Sequence, residues 1–218
     1  MLLSLIQKEF TLELRRRSVV SGIGLYLFAI VFICYLTFSL RRGSVNEATW
    51  SALFWLAILF SVINSVAKSF IGEKKGLSIY YYSVASASTV ILSKIIYNTL
   101  LCLLLSVTGF VLFALFIGNP VKDTPLFLLT LLLASIGFSA SLSLISAIAA
   151  KTNNSNILMA VLSFPVLISI LLMAIRATKN ILDGLERSTS YDELVNLLAI
   201  NCILTALAYI LFPYIWRS

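Results

Sequence analysis

Seven stretches of this chain run without a single Asp, Glu, Lys or Arg: 18–40, 48–67, 76–93, 95–121, 124–150, 152–175 and 194–216. A helix needs roughly 20 apolar residues to cross the hydrocarbon core of a bilayer. Six stretches qualify. The stretch 76–93 does not, because it holds five serines, one threonine and three tyrosines. In lipid, every backbone polar group must be satisfied within the protein, so only helices and closed barrels can span. A barrel would show alternating segments of about ten residues, a pattern missing from these long uniform runs. The expected fold is therefore an all-α integral membrane protein with six transmembrane helices, near 19–40, 49–68, 92–117, 126–150, 157–176 and 195–215. Composition agrees: 60% of residues are hydrophobic and 11% charged, against about a quarter charged in soluble domains.

Six spans place both termini on one side. That side collects Lys8, Arg15, Arg16, Arg17, Lys68, Lys74, Lys75, Lys94, Lys151 and Arg217; the other collects Arg41, Arg42, Lys122, Arg176, Lys179 and Arg187. Short loops rich in Lys and Arg stay cytoplasmic, so both termini are expected in the cytoplasm. The net charge of +7 reads as topology rather than as a nucleic-acid footprint. Cys34, Cys102 and Cys202 fall inside predicted spans without a C-x-x-C pair and read as small core residues. No cleavable leader is apparent, since the first apolar run is too long and follows an acid-containing helix.

Three local patterns stand out. In "LLSLIQKEFTLELRRR", Leu2, Ile6, Phe10 and Leu14 recur every fourth residue, the period of a helix face. Residues 1–17 are expected to lie as an interfacial helix on the cytoplasmic membrane surface. Glu9 and Glu13 fall inside its apolar arc; either they pair with Lys8, Arg16 and Arg17, or they dock on a partner or another span. In the fourth span, Ser135, Ser139, Ser143 and Ala147 form a small-residue stripe that permits close helix approach, within or between subunits. The alternative is back-bonding of the serines to their own helix. Pro165, in "LSFPVLIS", marks a kink in the fifth span. Beyond it, "NILDGLE" (180–186) suggests a short surface helix, and Ser190-x-x-Glu193 is a capping-box signature before the last span.

The missing chemistry is equally informative. The chain has no histidine, the commonest metal ligand and general base. No span holds an acid, which argues against a carboxylate proton relay. No G-x-x-x-x-G-K-[ST] phosphate loop is present. The expectation is a protein that is not an enzyme, holds no metal and binds no cofactor itself. Any energy for transport has to come from another subunit.

The place to receive it is "FIGEKKGLSIYYYSVASAST", residues 70–89, a polar segment between two apolar spans. Gly76 follows Glu73, Lys74 and Lys75. Tyr80, Tyr81 and Tyr82 supply rigid aromatic area of the kind enriched at protein interfaces, although tyrosines also populate the lipid interface. Lys94 is expected to snorkel toward water at the start of the third span.

The order acid, glycine, apolar or aromatic stretch, small-residue turn and lysine (Glu73, Gly76, Ser78–Tyr82, Ser83–Thr89, Lys94) resembles the cytoplasmic loop after span 2 of type-2 ABC exporter permeases. With "KEFTLELRRR", the six spans and "SFPVLISILLMA", the chain most resembles the haem exporter protein B family, the permease subunit of the cytochrome c maturation ABC complex. It departs from that family in "SVASAS", where a proline is common, and at Ser169, where a second proline often follows. The resemblance implies a homodimer of permeases bound to two copies of an ABC ATPase, with Glu73, Lys74, Lys75, Gly76 and the three tyrosines in a coupling helix. It further implies a haem-handling membrane protein as partner and the bacterial inner membrane as location. Two alternatives remain at this stage: an exporter permease for a lipid, polysaccharide or drug, and a membrane scaffold that transports nothing.

Overall fold

The structure is a computed structural model that describes residues 2–15, 17–40, 45–66, 70, 86–152 and 155–217. The described residues form seven α-helices and one 3-10 turn. In chain order these are α1 (Leu2–Arg15), α2 (Arg17–Leu40), α3 (Glu47–Val66), α4 (Ala87–Phe116), α5 (Thr124–Ala149), α6 (Ser155–Asp183), the 3-10 turn (Arg187–Ser190) and α7 (Tyr191–Arg217). Five helices, α3 to α7, are long and apolar enough among the described residues to cross a membrane.

One helix organises the others. The apolar stretch of α5 is 78% buried, against 22–50% for the other four. Asp123 starts α5 by accepting a hydrogen bond from the Leu126 N–H at 3.3 Å, a side-chain cap for a free backbone donor. Phe127 then meets Trp50 and Phe54 of α3, and from Ala134 on nearly every residue is buried and most are Gly, Ala or Ser. Small side chains let α4, α6 and α7 approach the α5 backbone. Gly137 shows how close this becomes: a methyl there would lie 2.5 Å from Asn201 Oδ1 on α7 and 3.1 Å from Ile170 Cδ1 on α6. Asn201 Nδ2 donates to Leu133 O at 2.8 Å, tying α7 to α5.

The core near the α2–α3 connection is aromatic. Trp50 stacks on Phe54 with centroids 5.3 Å apart, Phe54 meets Phe113 edge-on at 5.5 Å, and Phe127 meets Phe110 at 4.9 Å. Both indoles of this core reach a polar partner, as Trp must when desolvated. Trp50 Nε1 donates to Gly118 O at 3.2 Å, and Trp55 Nε1 donates to Thr178 Oγ1 at 2.9 Å. Three connections meet at this end. Arg187 grips Asp123 in two-point fashion, Nε to Oδ2 at 2.6 Å and Nη2 to Oδ1 at 3.3 Å. Lys122 lies 4.0 Å from Glu47.

Several details depart from the sequence-based expectation. α4 begins at Ala87, upstream of position 92, because Ser86 caps it by accepting from the Thr89 N–H. The "NILDGLE" segment is no separate helix: α6 continues to Asp183 and stops at Gly184, whose φ is +72°. The Leu185 N–H then bonds back to Asn180 O at 3.1 Å, the six-residue closure of a glycine C-cap. The Ser190…Glu193 capping box does not form. The chain is already in a 3-10 turn at Ser190, so the extended cap geometry such a box needs is missing. Glu193 Oε2 is buried with no hydrogen-bond partner among the described residues.

Candidate functional site

The opposite end of the bundle carries a second, smaller core. It gathers Phe70, Val90, Ile91, Ile95, Ala140, Leu144, Ala147, Ala208, Phe212 and Trp216, with Leu5 of α1 against it. Phe70 is the last described residue before the polar loop. Its position is defined from several sides. Its N–H donates to Ser146 Oγ of α5 at 3.1 Å, and its ring lies 5.3 Å from that of Phe212, which in turn lies 5.2 Å from Trp216.

Lys94 sits beneath this ring. The sequence suggested a lysine reaching for water, but its side chain is 2% exposed. It lies two turns inside α4, and α1 and Phe70 close over it. Its Nζ is 4.5 Å from the Phe70 ring centroid, within the range of a cation–π contact. The same Nζ is 3.7 Å from Glu9 Oε1, and Glu9 also meets Lys8 at 2.9 Å. Glu9 therefore takes both of the roles left open by its position: a local pair and a contact with a span. A buried ammonium needs such compensation, because an isolated charge would bear the whole desolvation cost. Next to it, Phe10 of α1 meets Tyr97 of α4 edge-on, with centroids 5.0 Å apart.

Below Lys94, polar side chains lock α4 to α5. Ser139 Oγ donates to Ile95 O at 2.7 Å, and Asn98 Nδ2 donates to Ser143 Oγ at 2.8 Å. Of the small-residue stripe, Ser139 and Ser143 thus face α4 of the same chain. Ala147 is in the Phe70 core, and Ser135 is buried without a hydrogen-bond partner among the described residues. Back-bonding occurs two residues off the stripe, where Ser141 Oγ donates to Gly137 O at 2.8 Å.

Other expected residues fall elsewhere. Pro165 lies inside α6 on an exposed face, and the Phe70 core takes no residue from that helix. Glu13 is on α1, and its side chain lies outside the described residues, as do Glu73, Lys74, Lys75, Gly76, Tyr80, Tyr81 and Tyr82. The sequence reading missed Phe70, Ser146 and the Glu9–Lys94 pair. A partial signal for the pair was present: Glu9 was one of two acids in an apolar helix face and Lys94 stood between charge-free runs, and the two meet in the structure.

Charge at the far end behaves differently. The Arg187 guanidinium, hydrogen-bonded to Asp123, holds that carboxyl below its ordinary range. Between the two ends, an apolar groove of about 580 Å³ opens sideways among α4, α5 and α7, with Leu92, Leu133, Leu198 and Tyr209 in its walls. It offers hydrocarbon contact and no cluster of reactive groups.

Comparison with known proteins places this architecture. The model of the family described as CcmB protein matches residues 1–214. The chain is also 27% identical over 206 residues to a protein named Heme exporter protein B from Pseudomonas aeruginosa, covering 94% of this chain and 92% of that one.

Proposed function

The chain belongs to the CcmB protein family, and on that premise we propose that it is the permease subunit of an ABC complex that serves haem delivery for cytochrome c maturation. The observation that carries this reading is the family match over essentially the whole length, residues 1–214, with a relative named as a haem exporter. The chain contains no phosphate-binding loop, so ATP is hydrolysed by a partner ATPase and the permease converts its closure into a membrane rearrangement. It is not itself an enzyme. Within the loop 70–89, the partner ATPase seats on residues 71–85, which lie outside the described residues, with Glu73, Lys74, Lys75, Gly76 and the three tyrosines as its surface. A haem-handling membrane protein and a second permease copy complete the assembly.

In this reading α2 is the sixth span. Its 24 residues extend about 36 Å at 1.5 Å per residue, enough for a core of about 30 Å. The polar loop and both termini then lie in the cytoplasm of a bacterial inner membrane, on the side with more Lys and Arg, and α1 rests on that surface. The Phe70 core favours this assignment because it fixes the mouth of the loop to α1, α4, α5 and α7 at once. A push on the loop reaches four helices through packed contacts.

The test is replacement of Tyr80, Tyr81 and Tyr82 by alanine, followed by recovery of the ATPase with the tagged permease from native membranes. Each buried aromatic anchor contributes roughly 1–3 kcal/mol to an interface, so recovery should fall sharply while membrane insertion is unchanged. Undiminished recovery would refute the docking surface. Recovery of an ATPase with neither haem nor a haem protein would move the assignment to an exporter of another substrate.

A further inference from the structure

We propose that Lys94 is the positioning residue that joins the N-terminal helix to the mouth of the loop, so that α1, α4 and Phe70 move as one unit when the partner ATPase acts. The proposal rests on the reading of 71–85 as the ATPase-docking segment, and it assigns to Lys94, Glu9 and Phe70 a role in transmission rather than in docking.

The geometry singles out this lysine. A lysine at the end of a span ordinarily extends toward water, yet Lys94 is 1% exposed. Its ammonium contacts two elements that nothing in the local sequence requires it to touch, Glu9 of α1 at 3.7 Å and the Phe70 ring at 4.5 Å. A leucine or methionine would fill the same space without any desolvation cost. Buried ion pairs contribute little net stability compared with apolar replacements, and their better-attested use is to select one arrangement over others. The arrangement selected here is specific. The ammonium keeps these two partners only while α1 lies across α4 and Phe70 lies over the lysine. Displacing either element strips a partner from a buried charge. Phe70 is in turn bonded to Ser146 and packed on Phe212. A displacement of the loop mouth is thus shared with α1 through Lys94 and with α5 and α7 through Ser146 and Phe212.

The prediction separates attachment of the ATPase from use of its work. In Lys94→Met, Glu9→Gln and Phe70→Leu, the ATPase should co-purify at the wild-type level. ATP hydrolysed per cytochrome c matured should rise several-fold in each. Lys94→Arg keeps the cation and its reach over the ring, and it should hold the wild-type ratio. Because Glu9 and Lys94 act as a pair, Glu9→Gln/Lys94→Met should be no worse than Lys94→Met alone. A second readout needs neither ATPase nor haem. In purified permease, tryptic cleavage after Lys74 and Lys75, identified by mass spectrometry, should accelerate several-fold in Lys94→Met and Glu9→Gln and stay at the wild-type rate in Lys94→Arg. If Lys94→Met fails to accumulate, Glu9→Gln carries both readouts and Phe70→Leu the coupling readout.

Wild-type coupling together with wild-type cleavage in these variants would overturn the proposal. Equal loss of function in Lys94→Arg and Lys94→Met would also overturn it, since that pattern marks a simple packing role. Failure of the wild-type permease to retain any ATPase would refute the docking reading instead, and the cleavage measurement would still decide the role of Lys94.

Discussion

Substitution of one methyl at Gly137 tests the packing that makes α5 the hub of the bundle. In Gly137→Ala, the added carbon would sit 2.5 Å from Asn201 Oδ1 and 3.1 Å from Ile170 Cδ1. The first distance is too short to survive. Asn201 is held by its own bond to Leu133 O, at 2.8 Å, so it cannot rotate away without losing that bond. Overpacking of this kind costs about 1–3 kcal/mol. Loss of an interhelical hydrogen bond in a membrane protein adds about 0.6 kcal/mol on average and about 1.7 at most. Alanine returns about 1 kcal/mol through its better helix propensity. The net expectation is a destabilisation of about 1–3 kcal/mol. The assay is reversible unfolding in mixed micelles against increasing SDS, followed by fluorescence of the buried Trp50, Trp55 and Trp216. Asn201 is the severe obstruction, and Ile170 needs to give by only a few tenths of an ångström, so Asn201→Ala should remove most of the clash. Gly137→Ala/Asn201→Ala should then be about as stable as Asn201→Ala alone, a strongly non-additive cycle. A Gly137→Ala protein as stable as the parent, or an additive double mutant, would refute the claim that α5 and α7 meet through this contact.

Two further outcomes follow from the same structure. Thr178→Val keeps the shape of the side chain but removes the acceptor for Trp55 Nε1; a loss of about 0.6–1.7 kcal/mol and a shift in tryptophan emission are expected. The Asp123–Arg187 contact should titrate only in acid. Its folded carboxyl lies below the ordinary value, so its contribution is complete above the ordinary Asp pKa of about 3.9 and disappears as pH falls through the lower folded value. Melting of the detergent-solubilised protein should therefore show a flat difference between wild type and Asp123→Asn from neutral pH down to about pH 4, closing only below it.

The class of the protein was legible in the amino-acid string alone. Long charge-free runs admit few solutions in a bilayer, and the described chain is helical wherever such a run occurs. Family resemblance was legible as well, because it rests on the order of motifs along the chain, and the match over residues 1–214 agrees with it. Helix ends were less so. The continuation of α6 to Gly184 and the start of α4 at Ser86 depend on backbone bonds to Asn180 and from Thr89, which compete with turn signals of similar strength.

What the tertiary structure decided was which faces meet. In water, the boundary between apolar and polar residues shows where a helix packs. In a bilayer, lipid and protein interior are alike apolar, so a span that is hydrophobic all round carries no such boundary, and small residues and rare polar groups choose the contacts. That is why the burial of α5, the approach of Asn201 to Gly137 and the Trp55–Thr178 bond were not readable from the spans themselves. It is also why Glu9 and Lys94 could be recognised as misplaced charges one at a time, while their pairing beneath Phe70 needed α1 folded across α4.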